Sequence, residues 1–582
     1  MAEKSKFVGG RRKFLRTGII GAVAAAIAPK LSGSVRPHIE VTSLDKKANL
    51  DAARANAIGG ATIPVTSFEF DEITIGELQH GMTSGKYTAR SITEKYLARI
   101  EEIDKHGPEI NSVIEVNPDA LAIADALDKE FKDAADTAQR NSSGGRVTMN
   151  FRLHGIPILI KDNIDTADRM MTTAGSLALV GAKPLKDSFV ARKLREAGAV
   201  ILGKTNPSEW ANIRSSHSTS GWSGRGGLTK NPYALDRNPC GSSSGSGAAT
   251  SANLCAASIG TETDGSIVCP SSANGLVGIK PTVGRVSRAG IIPISHTQDS
   301  AGPMCRTVRD AAIVLGVLTG VDPDDSATSD VGRNFKSDFT EFLKKDGLRG
   351  ARIGVVRKYF GFSDTVDALM ETALDAMKKQ GAILVDPADI DTIGKTGDNE
   401  TLVLQYELKA DMNAYLSKLG PNAQMKTLKD LIAFNERNRE KEMLYFGQDM
   451  FIKAEAKGPL TTKEYLDALE ANLRMARKDG IDAVMDRFKL DALVAPTGGP
   501  AWVTDLVNGD NAAGQSSSGA AVAGYPSVTV PAGFAFGTLP VGISFFGRAW
   551  SEGALIKLAY SFEQATKVRK APKFLPTIEL TA

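Results

Sequence analysis

The sequence predicts an α/β fold in which helices cover a mixed β-sheet. Three observations predict it. Leu153 to Ile160 is an almost continuous apolar run of strand length, the pattern of a strand buried on both faces. Arg352 to Val356, a helical repeat near Val366 to Lys379, and Ala382 to Val385 form a βαβ pattern. The chain closes with strand-like Ala492–Pro496, Pro526–Pro531 and Pro540–Phe546, followed by a final helix at Gly553–Ala565.

The 582 residues, 42% hydrophobic, suffice for a large core, and length alone suggests three or four domains. Net charge is +3; residues 1–30 hold seven Lys/Arg against Glu3, so the remainder carries −3. That balance implies no basic surface for nucleic acid. The N-terminal charge belongs to an address. Arg11-Arg12 opens a twin-arginine pattern, and Thr17–Ala28 is a short run of small apolar residues. About a dozen such residues are too few for a membrane span, which takes about 20. Residues 1–30 therefore read as an export signal, with the twin-arginine machinery as partner and the periplasm or the exterior as destination. A short amphipathic tail would explain the apolar run poorly. Pro29 obscures the cleavage point, and residues 31–66 read as a linker.

The folded part begins with helices. Ile75, Leu78 and Met82, then Ile92, Tyr96, Leu97 and Ile100, recur at three- and four-residue steps, with Thr74 as a cap and Gly85 as a stop. A second amphipathic piece covers Pro118–Phe131. Lys161 ends the apolar strand. A lysine there either snorkels to water or, kept in apolar surroundings, has its pKa depressed and becomes a neutral base. Asp162 should point elsewhere if the strand continues through it. Phe189–Ala197 has helical spacing, Gly198 caps it, and Ala199–Leu202 is a strand. Gly198–Thr205 matches GxxxxGK[ST], but its inner positions form a strand rather than a loop around phosphate, so the phosphate-loop reading fails. Asp310 starts a helix through Leu315 and Leu318. Residues of about 400–488 look mostly helical, an insertion placed to cap a cleft.

Pro239–Pro270 carries the chemistry. It holds a Gly/Ser cluster from Gly241 to Gly247, a small-residue run to Ser258, and a second turn at Thr261–Ser266. Four glycines (241, 245, 247, 265) permit close backbone approach. Ser242 and Ser266 stand at the start of the first cluster and the end of the second. Gly/Ser runs are often linkers, but the intervening Leu254–Gly260 is apolar enough to be buried. Gly241–Gly245 also fits GxSxG, which would make Ser243 a nucleophile. That architecture needs an acid and a histidine downstream, and His296 follows too closely. Lys395-Thr396-Gly397 and Ser43-Leu-Asp-Lys46 mimic penicillin-binding motifs, without the Ser-Asp-Asn triplet. The six histidines show no metal-ligand spacing, so no zinc site is expected; a serine-based acyl-enzyme would need neither metal nor organic cofactor. Cysteines 240, 255, 269 and 305 read as small buried hydrophobes. Export would permit a disulfide, but nothing in the sequence pairs any two.

Gly241-Ser-Ser-Ser-Gly245 followed by Gly260-Thr-Glu-Thr-Asp-Gly-Ser266, with Ile160-Lys-Asp-Asn163 upstream, resembles the amidase signature family of serine hydrolases. It is closest to that family's peptide-amidase-like branch, over about Ile73 to Thr566. The family's more usual Asp-x-Gly-Gly-Ser is here Glu262–Ser266, a variant that this branch shares. The resemblance implies one α/β domain, residues 67–575, in place of several. It makes Ser266 the nucleophile, Ser242 a bridging serine held by a cis peptide bond, and Lys161 the base, with the serines 24 residues apart. The oxyanion would be held by backbone N–H groups of Thr263, Asp264, Gly265 and Ser266, with Asp264 compatible with a left-handed turn. The substrate would be a small-molecule or peptide amide. Trp210, Trp222 and Arg225 lie between base and serines and are candidates for the pocket, with core packing as the alternative. The competing readings are the A-type component of a tRNA-dependent amidotransferase and a catalytically silent binding protein of the same fold.

Overall fold

A computed structural model describes residues 63–140, 152–332, 336–420 and 423–578. The export signal (1–30), nearly all of the linker and the Ser43/Lys46 pair lie outside the described residues. Everything described belongs to one compact unit, Gly60–Ala582, so the single domain implied by the resemblance replaces the three or four suggested by length.

Eleven strands form one sheet. In chain order they are β1 Val113–Val116, β2 Pro157–Lys161, β3 Val200–Thr205, β4 Ala257–Glu262, β5 Val277–Lys280, β6 Ser300–Cys305, β7 Arg352–Val355, β8 Ile383–Val385, β9 Ala492–Pro496, β10 Ser527–Ala535 and β11 Leu539–Phe546. Their spatial order is β1-β3-β2-β4-β6-β5-β10-β11-β9-β7-β8. β3, β2 and β4 run parallel at one end, and β9, β7 and β8 at the other. Antiparallel ladders join the two groups.

All five residues of β2 are buried, as a strand covered on both faces requires. Ile160 pairs with Ile259 of β4 in parallel register, so Lys161 and Thr261 leave the sheet at the same edge. The βαβ unit forms as expected, around helix Asp364–Lys379. The first helix is Ile75–Thr83, with Thr74 and Glu77 making a reciprocal capping box. Within Gly198–Thr205, Val200–Thr205 is strand, and the buried Lys204 Nζ donates to Ile164 O at 2.6 Å, an internal role.

Local sequence gives no strand signal for β6. Ser300–Cys305 reads SAGPMC, without β-branched residues and with a proline inside. Packing explains it: a Cβ at Gly302 would meet Ile279 O at 2.0 Å, so only glycine lets β6 lie this close to β5. Residues 397–488 are largely helical, as expected. Leu408, Met412 and Leu416 of helix Gly397–Ser417 pack with Ala174, Trp210 and Ile292 in a second hydrophobic cluster beside the site. Among the described residues, no helix is long and apolar enough to cross a membrane.

Candidate active site

Lys161 ends β2 with no exposed surface. Its Nζ lies 2.8 Å from Ser242 Oγ, 2.8 Å from Thr261 Oγ1 and 3.4 Å from Thr261 O. Asn163 Nδ2 donates to the same Thr261 hydroxyl at 3.0 Å. Burial brings the lysine down from 10.5 to about 7, with Asp299 and Glu262 pulling the other way. Asp162 is turned away, but not by strand alternation, since β2 ends at Lys161 and Asp162 stands in the turn that follows. It accepts from Thr173 Oγ1 and from Gly175 N, and Arg225 Nη1 sits 3.4 Å from it.

Ser242 follows a cis Gly241–Ser242 peptide bond and precedes helix Ser244–Ser251, which packs over β2, β3 and β4. Residue 241 has to be glycine, since a Cβ would meet Ser208 Oγ at 2.2 Å. Ser243 points elsewhere: its Oγ donates to Thr261 O at 3.0 Å and accepts from Thr261 N at 3.1 Å, pinning the serine loop to the end of β4. A fully buried hydroxyl spent on two backbone bonds is no nucleophile. The hydrolase-elbow match therefore has no counterpart in the fold.

Ser266 lies past the end of β4. The buried Glu262 Oε2 accepts from Ile267 N at 2.7 Å and from Val268 N at 3.0 Å, fixing the backbone just beyond the serine. Thr263 Oγ1 donates to Asp299 at 2.6 Å, and Asp299 in turn accepts from Ile294 N and Ser295 N. Among the described residues, no internal acceptor takes the N–H groups of Thr263, Asp264, Gly265 or Ser266. The left-handed residue of the turn is Gly265 (φ 79°) rather than Asp264, which the sequence leaves equally free for that role. Asp264 instead accepts from Ser518 Oγ at 2.6 Å. Glu400 lies beside it, its carboxyl pushed upward by burial and by the Asp264 charge.

Ser266 and the turn line a cavity of about 260 Å³, together with Cys240, Gly241, Asn212, Leu404, Trp502, Asp510 and Gln515. The structure brings Lys161, Ser242 and the Thr263–Ser266 turn together. It does not bring Trp210, Trp222 or Arg225 to the cavity. Trp210 packs edge-on against Phe451, Trp222 lies between Tyr445 and Phe446, and Arg225 pairs with Glu115 and Asp162. The competing reading, core packing, describes the two tryptophans. Lining residues 502–515 escaped sequence reasoning because they come from an irregular segment about 240 residues beyond Ser266; no local pattern announces such a neighbour. His296, Glu407 and Asp411 also meet, but they are engaged with one another and with Thr297 and Tyr465.

The cysteines require a correction. Cys255 and Cys305 are free and buried, as expected, but Cys240 and Cys269 are joined in a disulfide across a sequence separation of 29. The reason is tertiary: the loop ahead of Ser242 and the helix after Ser266 converge on one cavity. A cross-link of that span stabilises by about 3–4 kcal/mol through loop closure. Cys240→Ser/Cys269→Ser is expected to lower Tm by several degrees and to reduce kcat more than it raises KM, because the link ties both serine segments together. Thermal melts and kinetics of oxidised, reduced and double-variant protein check this.

Two serines, a buried lysine and a turn of N–H groups without internal acceptors thus meet at one end of the sheet. The family model for amidases matches residues 91–556. A probable amidase of Arabidopsis thaliana is 41% identical over 516 residues, 88% of this chain and 93% of that protein. The crystal structure of native peptide amidase from Stenotrophomonas maltophilia superposes with a TM-score of 0.80 at 46% identity, covering 87% of this chain and all of that one. The A-type component of glutamyl-tRNA(Gln) amidotransferase from Acinetobacter baumannii is 32% identical, over 86% of this chain and 97% of its own length. The chain belongs to the amidase family and is an amide-hydrolysing enzyme.

Proposed function

We propose that the chain is an exported carboxamide hydrolase acting through a Ser266 acyl-enzyme, with peptide C-terminal amides as substrates. The observation that carries the mechanism is the buried Lys161 Nζ, 2.8 Å from Ser242 Oγ. In water a lysine is over 99% protonated at pH 7; with its pKa near 7 a large fraction is neutral and can accept a proton. Neutral Lys161 takes the Ser242 proton as Ser242 takes that of Ser266, whose Oγ attacks the amide carbonyl. The oxyanion that forms meets the N–H groups of the Thr263–Ser266 turn, each worth roughly 3 kcal/mol in such sites. Returned through the same relay, the proton goes to the leaving nitrogen. Ammonia departs, the acyl group stays on Ser266, and water then cleaves the ester to release the carboxylate. Thr261 and Asn163 orient the lysine.

Similarity to a peptide amidase over nearly the whole chain supports peptide amides as substrates. The amidotransferase reading rests on lower identity, and an export signal would speak against it. Ammonia release from peptide, aliphatic and aryl amides tests the proposal: turnover of peptide amides is expected to exceed the others, and release from none would leave a silent binding protein.

Export is part of the proposal. Arg11-Arg12→Lys-Lys is expected to leave a folded, active enzyme in the cytoplasm while the parent reaches the periplasm or medium. Fractionation of cells expressing each decides it, and equal export would make the arginine pair incidental.

A further inference from the structure

The charged groups that line the Ser266 cavity are both carboxylates, Asp264 in the turn and Asp510 on the 502–515 segment. Among the described residues, no lysine, arginine or histidine lines it. A sphere of 260 Å³ is only about 8 Å across, so any acyl group large enough to fill the cavity comes close to both acids. Asp510 is fixed rather than free to swing: its carboxylate accepts from Ser220 N at 3.0 Å and from Ser220 Oγ at 2.5 Å. The residue is exposed, but burial around its carboxyl pushes the pKa up, an effect that Ser220 and the Trp502 indole beside it oppose. A fixed carboxylate with an indole beside it suits an ammonium or guanidinium group, which gains charge pairing there. Asp264 is differently placed, since Ser518 holds one carboxylate oxygen and the other is buried. Its charge therefore acts as background potential, while Asp510 supplies the contact.

We infer that Asp510 and Trp502 form a specificity subsite for a cationic or N–H-rich acyl residue, so that amides of basic amino acids are preferred and those of acidic ones rejected. This rests on Ser266 being the acylation site, because that serine defines which cavity receives the acyl part. The same potential acts on the product: hydrolysis creates a carboxylate in a cavity lined by two acids, which favours its release. With two acids and no counter-charge lining the cavity, a basic-to-acidic ratio of at least about tenfold is expected at low ionic strength.

The test compares N-acetyl-arginine amide, N-acetyl-leucine amide and N-acetyl-glutamate amide. In wild type, kcat/KM is expected to fall in that order, with the difference carried mainly by KM. Asp510→Asn is expected to shrink the arginine-to-glutamate ratio several-fold. Should that variant fold poorly, wild-type protein at high salt must show the same shrinkage, since screening weakens both effects. Binding of the three amides to Ser266→Ala protein, measured by calorimetry, separates this inference from the mechanism. A charge order seen in binding without turnover in wild type would uphold the subsite and sink the hydrolase reading. Turnover with equal ratios, or a ratio unmoved by both Asp510→Asn and salt, would overturn the subsite alone.

Discussion

Ser266→Ala is expected to lower amide turnover by about four orders of magnitude or more, while the protein still folds and binds substrate. The size follows from interdependence: without Ser266 Oγ the relay of Lys161 and Ser242 has nothing to activate, and loss of one member of such a set removes most of the rate. Ser266 is a small residue, 9% exposed on a cavity wall, so deleting its hydroxyl leaves little void. Ser242→Ala leaves the nucleophile present but poorly activated, and Lys161 loses one of its two 2.8 Å partners. A fluorophosphonate probe followed by peptide mapping checks the assignment, with Ser266 as the expected site. Modification of Ser243 instead would mean that the hydroxyl holding Thr261 N and O is released in solution, and the proposed mechanism would fail.

The second large effect concerns Lys161. kcat/KM is expected to rise with pH through an apparent pKa of about 7, since the neutral amine is the active base and its fraction grows as pH passes the folded-state value. Lys161→Ala should remove this limb together with most of the activity. Lys161→Arg should fail equally, because guanidinium stays charged at any working pH and its planar fork does not fit where an ammonium sits between Ser242 and Thr261. The arginine would also place an unpaired charge in a fully buried position, so melting temperatures accompany the kinetics. Near-wild-type turnover by a folded Lys161→Arg enzyme would show that Lys161 accepts no proton, and the Ser-Ser-Lys assignment would be withdrawn.

Lys161 shows how much of the site was legible in the chain. The apolar run ahead of it required a strand buried on both faces, and a lysine at the end of such a strand either snorkels to water or stays neutral. Sequence could not choose between these, because the choice depends on what lies above the strand end. In the fold, the serine loop, Thr261 and Asn163 close over it, and the amine is fully buried. Ser243 was decided in the same way. It lies next to Ser242 and shares its composition, yet its hydroxyl is spent on Thr261.

The sequence by itself determined the alternation of strands and helices, the Thr74 cap, the buried β2, and the two serines with the lysine upstream. These are properties of local periodicity, backbone sterics and short motifs, and they are written within a few residues of where they act. Tertiary structure alone decided the Cys240–Cys269 disulfide, strand β6, the removal of Trp210, Trp222 and Arg225 from the pocket, and the arrival of Trp502, Asp510 and Gln515 in it. Each depends on which distant segments share one edge of the sheet. That follows from the strand order, in which β4 lies beside β2 and β6 while segments far along the chain close over the same end, and no local window of sequence encodes such adjacency.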